Sequence, residues 1–69
     1  MDFRDADIVN VLRTLADLAG VNIVITDDVK GRITLRLVEV PADEALRLVL
    51  QMNGLGSTDV VTWKTAPAW

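Results

Sequence analysis

Catalysis by a carboxylate pair needs two acids held at a fixed separation in a cleft, in environments that drive their pKa values apart. The adjacent acids in this chain are Asp27-Asp28 and Asp43-Glu44. Asp27 and Asp28 open the run Asp27-Asp28-Val29-Lys30-Gly31, whose composition is that of a turn tip, and the run lacks the alternating oxygen ligands of a calcium loop. They read as solvated turn residues. Asp43 and Glu44 follow Pro41 at the head of an apolar-periodic stretch and read as first-turn charges facing the positive end of a helix dipole. Gly54-Leu55-Gly56 lacks both the third glycine and the following helix of a phosphate-binding loop. With no cysteine and no histidine, the chain has no material for thiol or zinc–thiolate chemistry, for a Ser-His-Asp triad or for imidazole acid–base catalysis. The expectation is a protein that is not an enzyme, with no cofactor and no metal.

What remains is recognition without bond-making. Arg32 and Arg36, with Lys30 close by, form a small basic stripe on one face of a strand, which either meets an acidic partner or keeps an exposed sheet soluble. The large aromatics besides Phe3 are Trp63, expected to pack on the core from a strand, and Trp69, for which fraying and an interface stay open. A net charge of −3 and a pI near 4.5 oppose a phosphate-binding surface, so nucleic acid is not an expected partner.

The elements that position these residues follow from periodicity. From Asp5 to Ala19, the apolar residues Ile8, Val11, Leu12, Leu15, Leu18 and Ala19 recur at steps of three and four, which predicts an amphipathic helix. Asp5 is its expected N-cap, Asp7 suits the dipole, and Gly20 can take the left-handed conformation that stops it. Asn22 to Thr26 is β-branched and apolar. Arg32 to Leu37 alternates strictly, with Ile33, Leu35 and Leu37 on one face and Arg32, Thr34 and Arg36 on the other. The phase change at Val38-Glu39-Val40 marks a bulge or the strand's end. Pro41 fits the first turn of a second helix whose inward stripe is Ala42, Ala45, Leu46, Val49 and Leu50, ending at Gly54. Leu48 and Met52 lie beside that stripe. A broad core face is the expected reading of them, with a partner-binding ridge as the alternative. Val60 to Thr65 reads as a last strand ended by Pro67, and a short strand is expected around Met1 to Phe3. The predicted fold class is α+β, two helices packed on small β-sheets in the order β-α-β-β-α-β.

At 69 residues the chain makes one domain, 1–69, and its stability margin should be thin. A hydrophobic fraction of 51% with 25% charged residues fits a globular core under a charged shell and needs no cross-link. No apolar run reaches the roughly 18 residues of a membrane span, and Met1-Asp2-Phe3-Arg4-Asp5 lacks the layout of a signal peptide, which by itself predicts no export by this segment.

Four blocks in order carry a resemblance to a known family: Asp2-Phe3-Arg4-Asp5-Ala6-Asp7-Ile8; Leu15 to Val24; Val29-Lys30-Gly31-Arg32-Ile33-Thr34-Leu35; and Val40-Pro41-Ala42-Asp43-Glu44-Ala45-Leu46. Together they resemble the short N-terminal domain shared by secretins and TonB-dependent transducers, in wording closest to the type IV pilus secretin. The resemblance covers residues 2 to 55; each block alone is an ordinary capped helix or strand. It implies a periplasmic domain of an outer-membrane protein. Its implied partners are inner-membrane or pilus alignment-complex proteins and neighbouring secretin subunits in a homo-oligomeric ring. It implies no active site and no membrane insertion by the domain itself, and the isolated domain is expected to be a monomer. Where the family ends in a hairpin after the glycine pair, Ser57 to Trp69 is a shorter, unfamiliar tail. With the missing signal peptide, the expectation is an excised domain.

On this reading the candidate interaction residues are Arg32, Thr34 and Arg36 on one strand and Val60, Thr62 and Lys64 on another, either strand offering an open edge to a partner. The rivals are type II rather than type IV pilus secretion, the signalling domain of a TonB-dependent transducer contacting an anti-sigma regulator, a small enzyme, for which no convergent polar residues define a pocket, and a KH-like nucleic-acid-binding domain. The last needs a Gly-x-x-Gly loop between helices and a basic surface.

Overall fold

A computed structural model describes residues 1–56 and 59–63 of the chain. Six elements follow in the order β1 (Asp2–Asp7), α1 (Ile8–Ala19), β2 (Asn22–Ile25), β3 (Arg32–Arg36), α2 (Ala42–Met52) and β4 (Val60–Trp63), the expected α+β arrangement. Among the described residues there are two antiparallel two-stranded sheets, β1 with β3 and β2 with β4. The consecutive strands β2 and β3 therefore join different sheets. Between them, Asp27 and Asp28 occupy the middle of a turn closed by the Val29 N–H donating to the Thr26 carbonyl at 3.2 Å.

Helix α1 begins at Ile8, later than the expected start at Asp5, because Asp2 to Asp7 is spent on β1. Asp5 is not the N-cap. Asp7 is, with extended backbone and a carboxylate accepting from the Val9 N–H at 2.8 Å. At the other end Gly20 stands at φ 72°, as expected of it. Its N–H donates to the Asp17 carbonyl and the Val21 N–H to that of Ala16, the paired closure that satisfies two last-turn carbonyls. Pro41 stands at the N-cap of α2 rather than inside its first turn, while Asp43 and Glu44 occupy that turn. Gly54, at φ 66°, ends α2 by the same pairing: its own N–H reaches the Gln51 carbonyl and the Leu55 N–H that of Leu50.

The core is built from Ile8, Val11, Leu12, Leu15 and Ala16 of α1, Ala45, Leu46 and Val49 of α2, and Val29, Leu37 and Val60 from the sheet side. Leu12 and Leu15 are wholly inaccessible to solvent. In β3, Ile33 and Leu35 pack against this cluster while Arg32, Thr34 and Arg36 face out, the predicted alternation. Three expectations need correcting. Leu18 is exposed, because the apolar stripe of α1 closes on Ala16 instead. Leu48 and Met52 are exposed too, so the buried face of α2 is narrow. Trp63 is half-buried but stands outside the core cluster, at the end of β4 opposite Asn22, where it lines a concavity against α2 instead. The expected strand residues Lys64 and Thr65, with Pro67 and Trp69, lie outside the described residues.

Candidate functional site

Among the described residues, strand β3 is held on one side only. Its partner β1 pairs Asp2 with Arg36, Phe3 with Leu35, Ala6 with Ile33 and Asp7 with Arg32. Arg4 and Asp5 thus stand opposite the single residue Thr34, a β-bulge. Asp5 takes φ 45°, a left-handed conformation that aspartate tolerates better than most residues. The bulge is tied down from β3: the Asp5 N–H donates to Thr34 Oγ1 at 3.0 Å, and Arg32 Nη1 donates to the Asp5 carbonyl at 3.1 Å.

The ladder's alternation fixes which peptide groups remain free. Met1 and Leu37 exchange both backbone bonds, at 2.8 and 2.9 Å, and at the far end the Ile8 N–H donates to the Gly31 carbonyl at 3.0 Å. In an antiparallel pair the inward and outward residues alternate. Counting from either end, Leu37, Leu35, Ile33 and Gly31 turn their peptide groups toward β1, while Arg36, Thr34 and Arg32 turn theirs away from it. No other described strand flanks that side.

The same count applied to β4 leaves less. The Thr26 N–H donates to the Asp59 carbonyl at 2.9 Å, so Val60 and Thr62 are the outward residues, and the Val60 N–H is already taken by the Gly56 carbonyl at 3.1 Å. Val60 itself is buried in the core, whereas Thr62 is exposed. The candidate residues therefore fall into two groups on different sheets: Arg32, Thr34 and Arg36 come together on one edge, Val60 and Thr62 lie on another, and Lys64 lies outside the described residues.

The basic stripe is not free. Arg32 Nη1 is 3.4 Å from Asp5 Oδ2 and Arg36 Nε is 3.6 Å from Asp2 Oδ1, each pair bridging the two strands across the exposed face. All four side chains are 60% or more exposed, so each pair contributes between nothing and about 1 kcal/mol, and an incoming carboxylate can replace Asp2 or Asp5 at little cost. Sequence reasoning missed these two acids because it ended the first strand at Phe3. One signal was available: an N-cap immediately precedes the first periodic apolar residue, here Ile8, which points to Asp7 and leaves Asp5 to the strand.

A second feature lies between α2 and the β2–β4 sheet, where Val21, Asp43, Leu46, Arg47, Leu50, Thr62 and Trp63 line an open concavity of about 360 Å³. Trp63 Nε1 is shielded from solvent and has no hydrogen-bond partner among the described residues. Nothing in the structure accounts for that orphan donor. Among the described residues, no three acidic side chains converge as a metal site would require, and no helix is long and apolar enough to cross a membrane.

The model of the GspD-like N0 domain family matches residues 1–61. The fimbrial assembly protein PilQ of Pseudomonas aeruginosa is 49% identical over 55 residues, covering 80% of this chain and 8% of that protein. The type IV pilus biogenesis and competence protein PilQ of Neisseria gonorrhoeae is 47% identical over 55 residues, with the same coverage of 80% and 8%. The DNA utilization protein HofQ of Escherichia coli is 37% identical over 51 residues, covering 74% of this chain and 12% of that protein. The chain thus spans about 8% of the length of the PilQ relatives it matches. No solved structure gives a significant match. With the family model covering most of the chain and the two helices, two small sheets and capped ends in place, the chain belongs to the GspD-like N0 family, the N-terminal domains of secretins.

Proposed function

We propose that this chain is a non-catalytic docking domain on the periplasmic side of an outer-membrane secretin, and that the outer edge of β3 receives an added strand from a protein partner. The observation that supports this reading is the outward edge formed by Arg32, Thr34 and Arg36. Their peptide groups supply a row of backbone donors and acceptors, and their side chains supply selectivity. Guanidinium groups whose carboxylate partners are exposed can exchange Asp2 and Asp5 for carboxylates on the incoming strand, which favours partners with acidic residues at alternate positions. Inner-membrane or pilus alignment-complex proteins are the proposed partners, with neighbouring subunits of a homo-oligomeric ring around them. The isolated domain is proposed to be a monomer, and Thr62 on β4 is the lesser candidate edge. The identity to two PilQ proteins supports type IV pilus over type II secretion, and the matches favour a secretin over a transducer.

Two of the relatives carry competence or DNA utilization in their names, which describe whole proteins. A net charge of −3 argues against DNA contact by this segment itself. The test is a titration of the isotope-labelled chain with a periplasmic fragment of an inner-membrane alignment-complex protein. The expected result is amide shifts from Arg32 to Arg36 with slowed hydrogen exchange at Arg32, Thr34 and Arg36. Shifts confined to the faces of α1 and α2 would overturn the edge assignment.

A further inference from the structure

We infer that Asn53-Gly54 is a modification site gated by the fold: its spontaneous conversion to aspartate and isoaspartate is held off while the C-terminal cap of α2 is closed and proceeds when that cap opens. This goes beyond the docking role and does not depend on it. In the reaction the deprotonated backbone nitrogen of Gly54 attacks Cγ of Asn53, the Cγ–Nδ2 bond breaks, and ammonia leaves a cyclic imide. Water then adds to either imide carbonyl, giving aspartate or its β-linked isomer. One water is consumed and one ammonia released, with no oxidant or reductant.

The site is chosen by its neighbour. The chain's other asparagines, Asn10 and Asn22, precede Val11 and Ile23, whose branched Cβ crowds the attacking nitrogen, whereas Gly54 has no side chain at all. Asn53 and Gly54 are both exposed, and a Cβ at Gly54 would meet nothing within 4 Å, so surrounding structure does not block water or base.

What blocks the reaction is the cap. Asn53 Nδ2 donates to the Val49 carbonyl at 2.8 Å, which holds the side chain back along the helix. The Gly54 N–H donates to the Gln51 carbonyl at 3.2 Å, so the attacking nitrogen is committed elsewhere. The ring cannot close until ψ of Asn53 leaves its present 8° and both bonds break. Each bond shifts the open population about fivefold, so the two together slow the reaction about 25-fold relative to the unfolded chain.

The product is poorly accepted back. Aspartate has no Nδ2 donor for the Val49 carbonyl and sets a negative charge at the negative end of the helix dipole. Isoaspartate also inserts an extra backbone atom before Leu55, whose N–H bonds the Leu50 carbonyl at 2.9 Å and whose side chain packs on the core.

The 69-residue chain is incubated in mildly alkaline buffer, folded and in unfolding urea, and the Asn53 peptide is followed by mass spectrometry together with enzymatic isoaspartate methylation. An Asn53→Gln variant run alongside assigns the signal, and circular dichroism confirms which samples are folded. The expected rate at Asn53 is about 25-fold lower in the folded chain. A ratio of about five or more supports the gate. A smaller ratio overturns it, as does modification of Asn10 or Asn22 at the Asn53 rate in urea.

Discussion

Replacing Asp7 with alanine removes the one side-chain acceptor that caps α1, the carboxylate oxygen 2.8 Å from the Val9 N–H. Loss of an aspartate N-cap costs about 1 kcal/mol, within a range of roughly 0.5 to 2. The consequence reaches the core, because α1 carries five of the eleven buried hydrophobic side chains among the described residues and Ile8 lies in the turn that frays first. A domain of this length is stable by roughly 3 to 10 kcal/mol, so the lost cap is a sizeable share. In urea melts followed by circular dichroism the midpoint should fall by about 1 M, and the thermal midpoint by about 4 to 8 °C. Asp7→Asn keeps the acceptor and drops the charge, and should recover all but a few tenths of a kcal/mol, about the exposed dipole contribution. The companion change Asp5→Gly should be nearly neutral, since relief of a left-handed aspartate offsets the added freedom of glycine in the unfolded chain. If Asp7→Ala melts within about 0.3 kcal/mol of the parent, well inside the smallest cap effect, the cap assignment and the six-residue first strand are both wrong.

Three further outcomes follow from the same structure. Leu12→Ala, at a site with no solvent exposure, should cost about 3 to 5 kcal/mol and leave much of the chain unfolded at room temperature, visible as lost amide dispersion in NMR spectra. Gly31→Ala should cost about 1 to 3 kcal/mol in a urea melt although a Cβ there meets nothing within 4 Å, because φ 131° suits glycine alone; a neutral result would show that the chain can leave that conformation freely. Arg32→Gln with Arg36→Gln should change stability by less than about 1 kcal/mol, since both ion pairs are exposed, yet weaken an acidic partner strand severalfold in calorimetric titration; equal affinity would remove the arginines from recognition.

Much of the local architecture was legible because its signals are local. Gly20 and Gly54 mark helix ends through a conformation that glycine adopts without strain, and both are found in it. The two-residue alternation of Arg32 to Leu37 separated an inward from an outward face before any partner strand was known. Errors arose where two local patterns compete for the same residues. Asp5 to Asp7 suits a helix start and a strand end equally well, and only pairing with Arg32 to Thr34 makes it a strand. Leu18, Leu48 and Met52 satisfy helical spacing, but the width of a buried stripe depends on what packs against it.

The candidate site divides along the same line. The amino-acid order by itself determined that Arg32, Thr34 and Arg36 share an outward face, that no thiol or imidazole chemistry is available, and that four blocks in register resemble one family, because each depends on residue type and short spacing. Only tertiary structure decided that β2 and β3 part into different sheets, that the two arginines are bridged by Asp2 and Asp5, and that among the described residues β3 rather than β4 keeps a full row of peptide groups with no neighbouring strand. Strand pairing joins residues some thirty positions apart through backbone groups that every residue shares, so it leaves little trace in side-chain chemistry, and the parity of a ladder is fixed by where its first bond forms.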